Sequence, residues 1–117
     1  MDERRKYPRT NVSAIIDYLA RKDYLICEMK DLSANGVFAV TSEPIPVGET
    51  IFLDFYLPGF VRKFKLKGRV VRTVSEDEAS RDGLVPGMGI EFFDVSPKTQ
   101  EDIIRFVSEG FEEDVRG

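Results

Sequence analysis

Asp31-Leu-Ser-Ala-Asn-Gly-Val-Phe38 is the stretch that decides the fold, because it sets three polar functions and a glycine between two apolar runs. Tyr24 to Lys30 alternates apolar and polar residues and reads as a strand, and Val37 to Val40 reads as the next. Asp31 to Gly36 is therefore a turn. Asn35-Gly36 strengthens that reading, since glycine adopts positive φ without penalty and asparagine tolerates it better than most residues. Extended backbone would point Asp31 and Ser33, two apart, to one side: a carboxylate acceptor beside a hydroxyl that donates or accepts. Two readings stand at this point. The pair bonds only its own backbone as a local turn, or it faces a ligand.

Working outward from the turn, Val12 to Ala20 alternates as a first strand, with Val12, Ala14, Ile16, Tyr18 and Ala20 on one face. Cys27 shares a face with Leu25 and Met29, which makes it a core residue. Thr41 to Glu49 is an irregular loop marked by Pro44, Pro46 and Gly48. Thr50 to Leu57 is a fourth strand that lines one face with Ile51, Leu53, Phe55 and Leu57. Val61 to Val74 is long for one strand and contains Gly68, where a bend or bulge is expected. Ser75 to Gly83 reads as an acidic loop with no apolar period. Val85 to Phe93 returns to a strand in which Met88, Ile90 and Phe92 share a face, while Gly87 and Gly89 leave its near end bare. Ser96-Pro97 starts a helix, a capping residue followed by proline at the first helical position. Ile103, Ile104, Phe106, Val107 and Phe111 then form a packing stripe, and the tail from Glu112 to Gly117 is expected to fray.

These elements predict an all-β fold, a small six-stranded antiparallel β-barrel with a C-terminal α-helix. The chain divides into a cationic arm over residues 1–11, a barrel over 12–95 and a helix over 96–113. At 117 residues it is one domain's worth of chain. One cysteine and no histidine exclude an internal disulfide and the usual zinc sets. No apolar run approaches the roughly 18 residues of a spanning helix, and the N-terminus carries no signal-peptide pattern, so the reading is a cytoplasmic protein without a transmembrane segment.

Net charge is -4 with a pI near 4.9, which argues against a nucleic-acid polymer as the partner. Two local exceptions break the acidity. Lys63, Lys65, Lys67 and Arg69 fall on one side of the long strand, either as lysines protecting an exposed edge or as a track for an anion. Arg4, Arg5, Lys6 and Arg9 surround Tyr7 and Pro8 in the arm, where proline disfavours a helix. Arg5 and Arg9, about 13 Å apart if extended, could close on opposite sides of a compact anion; the alternative is a solvated basic tail.

Without histidine the common nucleophile and base pairings fail, and neither a Gly-x-Ser-x-Gly elbow nor a Walker-type loop is present. The sequence reads as a binding module, not an enzyme. A ligand with anionic phosphates and guanine bases would use every feature above. Arginine bonds phosphate bidentately or pairs with the O6 and N7 edge of guanine, a carboxylate accepts from its N1-H and N2-H, and glycine permits close approach.

At this point the sequence resembles a known family. Arg5-Lys-Tyr-Pro-Arg9 fits the Arg-x-x-x-Arg motif, and Asp31-Leu-Ser33-Ala-Asn-Gly36 the (Asp or Asn)-x-Ser-x-x-Gly motif, of PilZ domains, bacterial receptors for the second messenger cyclic di-GMP. Gly68-Arg-Val-Val-Arg72 and Gly87-Met-Gly-Ile-Glu-Phe92 look like that family's later strands. The resemblance implies a split six-stranded barrel with the arm folding across it onto the ligand. It further implies that Arg5 and Arg9 grip phosphates and guanine edges, that Asp31 and Ser33 contact a guanine, and that Gly36 shapes the turn. Gly89 is a secondary ligand-binding candidate. Arg4, immediately before the first motif, implies two stacked cyclic di-GMP molecules per domain, with no other cofactor and no metal. The expected output is an adaptor whose arm orders on ligand binding and signals to a downstream protein partner. The alternative is a ligand-independent interaction module in which the motif residues only maintain the turn.

Overall fold

The computed structural model describes the backbone of residues 12–18 and 23–116, with side chains described within 12–17 and 24–108. Six strands follow in order: β1 (Val12–Tyr18), β2 (Asp23–Lys30), β3 (Gly36–Val40), β4 (Thr50–Phe55), β5 (Phe64–Val74) and β6 (Gly87–Phe93). They close an antiparallel barrel in the order β1-β2-β3-β6-β5-β4, with β4 pairing back onto β1. The predicted fold class is the one found. Alternation is what closes it, because each strand turns one set of apolar side chains inward. Ala14, Ile16, Cys27, Leu53, Phe64 and Met88 are almost wholly buried there. Burial also pushes the Cys27 thiol up from its ordinary value, which keeps it neutral.

Four expectations need correction. Ser75 to Gly83 is not a loop: it carries helix α1 (Glu76–Asp82). Only Ala79 of this helix is buried, so no apolar period betrays it; its ends do. The Ser75 hydroxyl accepts from Glu78 N at 3.1 Å, three acidic residues occupy the first turn, and Gly83 closes the helix at φ 71°. Such caps are worth about 1 kcal/mol.

The irregularity in β5 falls after Val70, not at Gly68. Val70 faces Ile90 and Arg72 faces Gly89, leaving Val71 as the extra residue of a bulge. Gly68 pairs regularly and points inward, where a Cβ would sit 2.4 Å from Ile90 Cγ2. Glycine there makes room in the core. The third correction concerns the lysines of β5. That strand lies between β4 and β6 in a closed barrel, so they do not guard an edge.

The fourth concerns helix α2 (Pro97–Arg116), which starts where predicted, with Thr99 N donating to the Ser96 hydroxyl at 3.2 Å, but runs on through the tail expected to fray. Ile103 and Phe106 are buried against the barrel and Val107 half-buried, whereas Ile104 is 54% exposed, because one residue's step turns it about 100° from Ile103. Phe111 carries no described side chain. On the buried side of the helix lies instead a charged residue, Asp102, only 2% exposed. Arg62, from the β4–β5 loop, donates to its Oδ2 at 3.1 Å and to Thr99 Oγ1 at 3.2 Å, and Lys98 and Arg105 each lie 3.4 Å from Oδ1. Arg62 also stacks over Phe64, 4.1 Å from the ring centroid. Burial alone would raise the Asp102 pKa; the hydrogen bonds and charges of Arg62 and Lys98 outweigh it and hold the carboxyl below its ordinary value. No described helix is long and apolar enough to cross a membrane.

Candidate functional site

The turn from Asp31 to Asn35 joins β2 to β3 and is built by Ser33. Its Oγ accepts from Asn35 N at 3.1 Å and Gly36 N at 3.2 Å, and Ser33 N donates to Gly36 O at 2.9 Å. Both acceptor lone pairs of the hydroxyl are thereby used within the turn. Its proton is left, held weakly toward Gly36 O at 3.4 Å. Of the two readings of Ser33, the local turn is what the geometry displays, with one donor to spare.

Asp31 departs from the expected extended backbone. It sits at φ 57°, in the left-handed region that Asp tolerates better than most residues. No described residue bonds to its carboxylate, which stands exposed at the lip of the turn. Gly36, by contrast, does not adopt positive φ; it is the first residue of β3, paired with Glu91. Glycine is required because a Cβ there would lie 2.2 Å from the Ile90 carbonyl oxygen. The same join is locked by Phe92 N donating to Asn35 O at 2.8 Å.

Beside the turn, one row of residues crosses four strands on the outer wall: Lys30, Phe38, Gly89 and Arg72, each register partner of the next. The β5 bulge places Arg72 there. Were Val71 a regular strand residue instead of a bulge, strict alternation after Val70 would send Arg72 inward. Its guanidinium carbon lies 5.5 Å from the Phe38 ring centroid. Between them Gly89 is bare: a Cβ would meet only the Arg72 side chain, at 3.7 Å and beyond. The result is a shelf with an aromatic and a guanidinium at either side of a gap, with Phe38 two residues beyond Gly36 on β3 and Lys30 immediately before the turn on β2. Sequence reading missed Phe38 and Arg72, since only the bulge reveals which way Arg72 points. Gly89 was singled out and lies in this row.

The β5 cations are arranged differently. Lys65 pairs with Asp54 at 3.7 Å and Lys67 with Asp94 at 3.5 Å, while Arg69 lies 4.8 Å from the Phe93 ring centroid. Carboxylates thus partly offset the stripe, which weakens it as a track for a polyanion. Arg4, Arg5 and Arg9 lie outside the described residues, so the structure brings together Asp31, Ser33, Gly36 and Gly89 alone among the predicted site residues.

The sequence matches the PilZ domain family over residues 3–109, and the chain belongs to that family. Its fold is similar to the structure described as the PilZ domain with c-di-GMP of YcgR from Escherichia coli, at 19% identity and a TM-score of 0.65, covering 97% of this chain and 95% of that one. It is also similar to the Bacillus subtilis inhibitor of motility MotI/DgrA, at 16% identity and a TM-score of 0.70. That match covers 96% of this chain and 53% of the other, so this chain spans about half the length of the Bacillus protein. A comparison with curated proteins finds no match.

Proposed function

We propose that this chain is a cyclic di-GMP receptor and adaptor that binds its ligand at the β2–β3 turn and the adjoining Phe38–Gly89–Arg72 shelf. The observation that carries the proposal is Asp31: an exposed carboxylate with no described partner, held by a turn that Ser33 and Gly36 fix rigidly against β6. A carboxylate so placed accepts from the two N-H donors on guanine's Watson-Crick edge, and the Ser33 hydroxyl contributes its remaining proton. Arg5 and Arg9 supply bidentate contacts to phosphates and guanine edges. Arg72 offers a flat cation for a base to stack on, and Gly89 lets it approach. Arg4 recruits a second, stacked ligand molecule. Membership in the PilZ family and likeness to a YcgR domain solved with c-di-GMP support the choice of ligand.

Signal output follows from charge. Ligand phosphates neutralise the cations of residues 1–11, the arm docks across the barrel, and the new surface recruits a protein partner. The test is isothermal titration with cyclic di-GMP, with Arg5→Ala alongside. Micromolar or tighter binding at about two ligands per chain, lost in the variant, is the expected outcome; no heat at high micromolar ligand would reject the receptor reading. A ligand-independent interaction module is favoured by one observation, the Ser33 hydroxyl spent on its own turn. Under that reading Arg5→Ala leaves partner binding intact.

A further inference from the structure

We infer that the outer wall formed by β1, β2 and β4 is a docking surface for a cationic amphipathic helix of a partner protein. This wall lies across the barrel from the β3–β6–β5 side that carries the shelf. At its centre Ile15 on β1 faces Ile26 on β2 in register, and Tyr24 faces Asp17 one step along. Ile15 is 44% exposed, Tyr24 60% and Ile26 69%. Adjacent apolar side chains left in water at a register-matched position form a patch, unlike scattered surface residues.

Among the described residues, the charges nearest the patch on its own strands are acidic, with Lys30 one same-face step beyond Glu28. Asp17 and Glu28 flank it on its own strands, and Asp54, register partner of Ile15 on β4, closes the third side. Asp54 is engaged by Lys65 at 3.7 Å, whereas no described cation pairs with Asp17 or Glu28. An apolar centre with an acidic rim complements a helix with an apolar face and lysines or arginines beside it. The barrel narrows the mode of binding as well. β1 is paired by β4 and β2, and β2 by β1 and β3, so neither has a free backbone edge to accept an added strand. Recognition must run through side chains, and a helix face presents them at a spacing that suits three clustered anchors. The surface needs no nucleotide, so its test stands apart from the ligand proposal.

The test is a titration, followed by nuclear magnetic resonance on the isotope-labelled full chain without nucleotide. The probe is a peptide of about 18 residues that folds with leucine on one face and lysine on the other. Controls are a scrambled peptide of the same composition and a glutamate counterpart. Shifts should concentrate on Ile15, Asp17, Tyr24, Ile26 and Glu28. Ile26→Lys and Asp17→Lys should each weaken binding about tenfold. Thermal melts like the parent's would show these surface variants folded, and unaltered cyclic di-GMP titration would show the far wall intact. Wild-type affinity in both variants, equal binding of the scrambled peptide, or shifts centred on β5 or α2 would overturn the inference. So would sedimentation showing that the peptide-free chain self-associates through this wall, since the occupant would then be a second copy.

Discussion

Asp31 and Asp102 carry the same side chain and are treated in opposite ways. Asp102 is buried beneath the start of α2 and surrounded by three cations, so its charge is spent within the fold. Asp31 stands in water at a left-handed turn with no described partner, so its charge is kept. A carboxylate that a fold needs is enclosed by partners the fold supplies; one that serves an outside molecule has its geometry fixed and its bonding capacity left open. The first should report on stability and the second on binding.

That contrast breaks most easily at Asp102. Asp102→Ala should lower the thermal midpoint by well over the few degrees that a surface ion pair is worth, because three clustered cations lose their common counter-charge. Cyclic di-GMP affinity measured below that midpoint should hold. Next in size, Asp31→Ala should weaken ligand binding about ten- to hundredfold, the range of one charge-assisted hydrogen bond. It should also reduce preference for guanine over adenine dinucleotides, at a cost of about 1 kcal/mol in stability because alanine tolerates the left-handed φ of this position less well than aspartate. Equal losses for both dinucleotides would remove Asp31 from guanine recognition.

Acid sharpens the comparison further. The Asp102 carboxyl titrates below its ordinary value of 3.8, so its stabilising effect is complete above that pH and is lost as pH falls through the lower, folded-state value. Thermal midpoints between pH 5 and pH 2.5 should fall less steeply in Asp102→Asn than in the parent; identical slopes would show that the clamp carries no such linkage. Ser33→Ala is smaller still. It should cost about 1 kcal/mol in urea unfolding, from two turn hydrogen bonds made in exposed backbone, with a few-fold loss in ligand affinity. The smallest effect is expected at Cys27, whose buried, neutral thiol should react with a disulfide reagent only when the barrel is unfolded.

Much of the barrel was legible because alternation and burial are the same fact: Ile51, Leu53 and Phe55 read as one face and are one face. The start of α2 was legible too, since Ser96-Pro97 is a local chemical signal. What periodicity could not carry was missed. Helix α1 buries one residue and is announced only by its caps, and Asp102 takes a buried helix position where a periodic reading puts leucine or isoleucine. Arg72 turned out at the site only because one extra residue shifted the strand. At the turn the positions were readable and the reasons were not: Gly36 was read as a matter of torsion and is a matter of clearance from Ile90.

That clearance has a mechanical consequence. Gly36 lies flush against the Ile90 carbonyl and Asn35 is bonded to Phe92, so the turn is riveted to β6 near its end. β6 finishes at Phe93, and α2 begins at Pro97. The turn and the start of α2 are thus hung from the same end of β6, with only residues 94–96 between the strand and the helix.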